Sequence, residues 1–172
     1  MFSLIQRMKI ILIVLASLLP AAAYSIGGAG DTAWPKGATI EVQLSLAAIA
    51  GTNGHPRVSG ELLIKSHSKA ALTIQDPRAR QVLAFLVFDP LGNPVAPAGV
   101  GKSDPPSWPT HTLSPHGTYT HQLDGLDFVT GGAWLSYNLS PGKAYRVLAV
   151  YRPAGPNGPG FASQEMALEI PR

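Results

Sequence analysis

Sixteen prolines and eighteen glycines punctuate this chain of 172 residues, and they decide most of what it can become. Inside a helix a proline removes a backbone donor and clashes with the preceding turn; in a sheet it is confined to edges and bulges. What survives between them is short and alternating. In TIEVQLSLAAI, Ile40, Val42, Leu44 and Leu46 alternate with Glu41, Gln43 and Ser45, the period of two that turns one face of a strand to a core and the other to water. No segment carries a convincing helical period, and at most LDFVTGG could coil into a single turn.

The remaining segments fit the same pattern. GTNGHPR supplies Asn53-Gly54, a pair that tolerates positive φ in a tight reversal. VSGELLIKS then reads as a strand with Leu62 and Ile64 inward, and ALTI as a short one. RQVLAFLVF is the most apolar run and is expected to be central, covered on both faces. DPLGNP turns the chain into a brief return strand at PV. From Ala96 to Pro109 the chain is too rich in Pro and Gly for a helix or a central strand. GTYTHQLD, KAYRVLAVY and FASQEMALEI follow, with Met166, Leu168 and Ile170 on one face and RPAGPNGPG as the last hairpin loop. The expectation is an all-β fold, a single antiparallel sandwich of about seven strands over residues 39–172.

The N-terminus carries a different signal. In MFSLIQRMKIILIVLASLLPAAAYS, Arg7 and Lys9 precede the apolar run Ile10–Leu19, and Pro20 and Ala21-Ala22-Ala23 follow, the layout of a secretory signal peptide. Cleavage is expected after Ala23, with Met8 as serviceable a start as Met1. The apolar run is much shorter than the roughly 20 residues that span a bilayer. Residues 24–38, Gly-rich and aperiodic, read as a flexible leader, and the product is expected in the periplasm or outside the cell. Without the two cations of the prefix the formal charge of +3 falls to +1, so there is no basic footprint for nucleic acid. The chain has no cysteine. Disulfides, thiolate chemistry, Cys-ligated metal and a lipid-anchored Cys are therefore excluded, and a disulfide-free exported domain points to a bacterial source.

One short string recurs in altered form: LSPHGTY at Leu113–Tyr119 and LSPGKAY at Leu139–Tyr145. In the second, Pro141-Gly142 turns the chain and Tyr145 opens a strand whose Val147, Ala149 and Tyr151 share its face. This resembles the tyrosine corner of immunoglobulin-like and fibronectin-III-like sandwiches, in which the phenol hydroxyl bonds back to the backbone just upstream. The resemblance implies a disulfide-free Ig-like sandwich, and implies no particular task, since such folds host many. The first string precedes a more polar strand and reads as a similar turn, not as a repeat.

Motifs with chemistry are sparse. APAGVGKS, Ala96–Ser103, approximates a phosphate-binding loop, but Pro105 and Pro106 follow where its helix should start, so nucleotide is not an expected ligand. His111, His116 and His121 stand five apart and are the candidate ligands for a transition metal ion. On one strand, residues five apart point to opposite faces. Asp89, Asp104, Asp124 and Asp127 have no recognisable calcium-loop spacing. No G-x-S-x-G elbow occurs, and the chain is not expected to be an enzyme or to hold a cofactor. Exposed tryptophans anchor interfaces and stack on sugars, which singles out Trp108 in the 102–110 loop, with Lys102 and Pro106, and adds Asn157 in PAGPNGPG. The expected function is a non-enzymatic exported Ig-like module that binds a protein partner; the alternative is a binding domain for a sugar or, through the three histidines, a metal ion.

Overall fold

The computed structural model describes residues 34–51, 56–102, 108–130 and 133–172. Among them are twelve strands and no helix: β1 (Ile40–Ile49), β2 (Arg57–Ser66), β3 (Leu72–Gln75), β4 (Leu83–Phe88), β5 (Ala98–Lys102), β6 (Thr110–Leu113), β7 (Thr118–Leu123), β8 (Phe128–Thr130), β9 (Ala133–Ser136), β10 (Ala144–Tyr151), β11 (Phe161–Ala162) and β12 (Met166–Glu169). They form four sheets. β1-β2-β7 is one; β10, flanked by β4 on one side and by β11 and β12 on the other, is the second; β3-β6 and β5-β9-β8 are smaller. Every pairing is antiparallel.

Alternation builds the core. Val58, Leu62 and Ile64 of β2 and Tyr145, Val147, Ala149 and Tyr151 of β10 are buried in one apolar cluster with Phe85 and Val87 of β4. Leu62 and Ile64 are fully buried, as the period of two requires. The opposite rows of β4 and β10, Leu86, Phe88, Leu148 and Val150, form a second buried cluster. Both faces of β4 are therefore covered, but β10 is the central strand and β4 flanks it. The β8–β9 hairpin lies against that outer row, where Phe128, Leu135, Ala84 and Leu86 line a recess of about 60 Å³.

The fold is all-β, but it has twelve strands in four sheets where one sandwich of about seven was expected. The difference has three local causes. Ala98–Lys102, set aside for its glycines, forms β5, because an edge strand of a small sheet tolerates glycine and its prolines fall outside the ladder. LDFVTGG does not coil; Phe128–Thr130 extends as β8 and pairs with β9. FASQEMALEI is broken, since the pairing with β10 slips by one residue between Val150↔Ala162 and Val147↔Met166. At the break Ser163 Oγ accepts from the Ala149 amide, 3.0 Å away. The PV return strand shrinks to one bridge, Phe88↔Pro94.

The two related turns share a backbone and differ in use. His116 and Gly142 occupy the same position after the proline, and both have positive φ, 56° and 73°. The buried Tyr145 accepts a hydrogen bond from the Ser140 amide at 2.9 Å, reaching back along its own turn. Tyr119 instead turns to the ring of His111. Near the start of the described chain, Trp34 is part-buried: its Nε1 donates to Ala38 O at 3.0 Å and its ring lies 5.8 Å from that of Phe161. Trp34 is thus held to Ala38 and Phe161; the rest of the expected leader and the expected signal segment lie outside the described residues.

Candidate functional site

β3 ends where Pro77 follows Asp76, and Asp76 gathers the surrounding chain. Its side chain is fully buried. Oδ1 accepts from the Arg78 backbone N–H and from Arg78 Nε, both at 2.9 Å. Oδ2 accepts from Arg78 Nη2 at 3.0 Å and from His111 Nε2 at 2.8 Å. An ionised carboxylate only accepts, so His111 carries a proton on Nε2. The guanidinium of Arg78, fixed on one edge by this fork, lies 4.0 Å from the centroid of the Trp108 ring, a cation–π distance. The His111 ring stacks on Tyr119 at 4.2 Å and 30°.

The backbone explains why these groups meet. Gln75 N–H donates to Pro153 O at 2.8 Å, Asp76 N–H donates to Pro109 O at 3.2 Å, and the buried Tyr151 hydroxyl donates to Gln75 O. The end of β3 is thereby stitched to the segment before β6 and to the start of the 152–160 hairpin. Alternation supplies the inward groups: His111 shares a face with buried Leu113 on β6, and Tyr119 and His121 share one with buried Leu123 on β7. Polar side chains thus line the rim of an apolar interior at one end of the molecule.

Electrostatics follow from burial. Desolvation pushes the Asp76 carboxyl up, but hydrogen bonds from Arg78 and His111 outweigh it and hold the group well below the usual carboxylate range. Burial raises the Tyr119 hydroxyl, and the charge of Asp76 adds to the rise. Burial also lowers His121; Asp76 opposes that shift, while Arg78 and His111 reinforce it. The sign for stability is definite. As pH falls through the ordinary histidine value of 6.5, the unfolded chain takes up a proton that folded His121 still refuses, so stability declines. The wild-type Tm is expected to drop between neutral pH and about pH 5 by more than that of His121→Gln; equal slopes in thermal melts across that range would contradict this.

Four donors occupy the roughly four acceptor sites of the Asp76 carboxylate, which leaves none for a general-base role. What faces solvent is Arg78, with 46% of its side chain exposed, the part-buried Trp108, and the exposed Pro109 and Thr110. On the hairpin beside them Pro156, Asn157 and Pro159 are exposed.

The residues singled out from sequence fall in different places. Trp108 is in this cluster, stacked under Arg78, and Asn157 is at the tip of the adjoining hairpin. Lys102 ends β5, and Pro106 lies outside the described residues. His111 and His121 belong to one electrostatic cluster. His116 instead sits in the exposed turn before β7, where its amide donates to Ser68 O at 3.2 Å. Among the described residues no three His, Asp or Glu are placed to hold a metal ion. Ala98–Lys102 of the loop-like APAGVGKS is paired with β9. The groups that sequence reasoning passed over are Asp76 and Arg78. Their signal was QDPR, an acid at a strand end followed by a proline and a cation two residues on.

No protein-family model matches the chain, and no curated protein is significantly similar to it. No helix among the described residues is long and apolar enough to cross a membrane.

Proposed function

We propose that the chain is an exported, non-enzymatic module of the Ig-like type that binds another protein, in the periplasm or outside the cell. The contact is made by the end built from Gln75–Arg78, Trp108–His111 and the 152–160 hairpin. One observation carries this reading: a fully buried carboxylate holds the half-exposed Arg78 guanidinium over the Trp108 ring, 4.0 Å from its centroid. Arginine, tryptophan and tyrosine dominate the binding energy of protein interfaces, and a surface ordered before contact loses less entropy on binding. The Ig-like assignment draws support from β1-β2-β7 and the β4-β10-β11/β12 sheet sharing one core and from the Tyr145–Ser140 hydrogen bond. Export rests on the composition of residues 1–23. A sugar-stacking role for Trp108 is less favoured, because Arg78 already takes one face of its ring.

The test is photo-crosslinking in the native cell, with a photoreactive residue at Thr110 or Pro156 and a control at Leu91, which is 87% exposed in the turn after β4, at the opposite end of the β4–β10 pair. A discrete crosslinked species from Thr110 and Pro156, absent from Leu91 and lost on Arg78→Ala, is the expected result. No species, or the same species from all three positions, would refute the proposed contact.

A further inference from the structure

We infer that two copies of this chain join through β1, edge to edge and antiparallel, so that β1-β2-β7 continues across a two-fold axis into a six-stranded sheet. The site is separate from the Trp108 end and does not depend on it. Among the described residues β1 pairs only with β2, and it is ten residues long. From Val42 to Ala50 the sequence is VQLSLAAIA, without a charge, a proline or a glycine. Edge strands normally carry such devices, because bare backbone invites another strand.

The other edges do carry them. β5 is bulged between Gly99 and Gly101. The edge formed by β11 and β12 is broken at Ser163, and β4 is capped by its bridge to Pro94. β7 is six residues long and starts directly after the His116-Gly117 turn. Among the described edge strands only β1 exceeds six residues, and it is uncharged over most of its length and continuous. Its core-facing row is also incompletely covered: Ile40 and Val42 are buried, but Leu44, Leu46 and Ala48 are only part-buried; on the outward row Ile49 is 57% exposed. A half-open recess of about 690 Å³ lies between residues 40–44 and 160–166, although β1 still packs against the facing β10-β11-β12 strands.

The distribution of charge selects a second copy. An antiparallel pairing centred on Ser45 sets Leu44 against Leu46 and Val42 against Ala48, so the core-facing rows of both copies coincide. The single charge of the strand, Glu41, meets Ile49. The two Glu41 side chains then stand eight residues apart along the ladder, about 27 Å at 3.4 Å per residue, well beyond the screening length. A parallel pairing would place them side by side. The isologous contact consumes both free edges, so it closes as a dimer and does not propagate as a fibre.

The absence of cysteine gives a clean test. The chain is expressed with its own leader and purified as processed. Sedimentation equilibrium is expected to find a dimer, and Ser45→Lys, on the exposed face, to weaken it at least tenfold with an unchanged near-UV spectrum. Directly opposed residues in an antiparallel ladder lie about 4.5–5.5 Å apart, within disulfide range. Only Ser45 faces its own copy in this register, so mild oxidation of Ser45→Cys should give a covalent dimer, while Ala47→Cys, whose two copies stand four residues apart along the ladder, and Leu91→Cys should not. A wild-type chain that is monomeric at all accessible concentrations would overturn the inference. So would a dimer indifferent to Ser45→Lys that crosslinks no better at position 45 than at 47 or 91.

Discussion

Replacing Asp76 by alanine is expected to cost about 2–3 kcal/mol of stability, seen as a lower urea midpoint with an unchanged slope. The carboxylate accepts four hydrogen bonds at 2.8–3.0 Å, three of them from charged or ionisable side chains. Breaking a wholly buried pair costs about 3–5 kcal/mol, because the surviving charge is stranded. Here Arg78 is 46% exposed and His111 27%, so both can turn to water, and the loss is correspondingly smaller. Asp76→Asn keeps the shape but points an amide donor at a donor, so about 2 kcal/mol is expected. The charge-dependent part of this stability has a definite pH window. The folded carboxyl titrates below the ordinary aspartate value of 3.8, so its contribution is complete above that pH and is lost as pH falls below it. A loss under 0.5 kcal/mol for Asp76→Ala would show the network to be incidental. The same variants free Arg78 from its fork, so the crosslinking from Thr110 should fall even where the protein remains folded.

The sequence revealed the strands that alternate and concealed those that do not. β1 and β2 each show a period of two over at least eight residues and β10 a nearly continuous apolar run, and the structure has them where the pattern places them. β5, β8 and β9 are three to five residues long, too short for a period to emerge. Their pairing is decided by neighbours distant in sequence, such as Ala98 with Ser136. The site divides in the same way. Trp108 was conspicuous as a tryptophan among prolines. Asp76 looked like an ordinary acid before a proline, because its importance comes from His111, 35 residues away, and from burial that no local pattern encodes. The histidine spacing grouped His111, His116 and His121 as candidate ligands, whereas the structure gives His111 the Asp76 carboxylate as its partner and leaves His116 in an exposed turn.

Gly60→Ala is expected to be as damaging as any single methyl added to this protein, at about 3 kcal/mol. Gly60 stands opposite Leu46 on one side and Leu123 on the other, in the middle of β1-β2-β7. A Cβ built there would lie 2.0 Å from the Ser45 carbonyl oxygen and 2.9 Å from the Leu46 Cα. Both are backbone atoms, so no side chain can swing aside; β1 itself must move away from β2, and the ladder hydrogen bonds near Ser45 lengthen or break. Gly99→Ala is the matched control, since nothing lies within 4 Å of its added Cβ. There the lost freedom of the unfolded chain should leave stability level or raised by about 0.4–1 kcal/mol. Similar losses at both positions would mean that glycine is needed for something other than close approach. The Gly60 variant also bears on association: if β1 pairs with a second copy, displacing it should weaken the dimer along with the fold. Ser45→Lys should separate the two effects, weakening the dimer while leaving the urea midpoint of the dissociated chain unchanged.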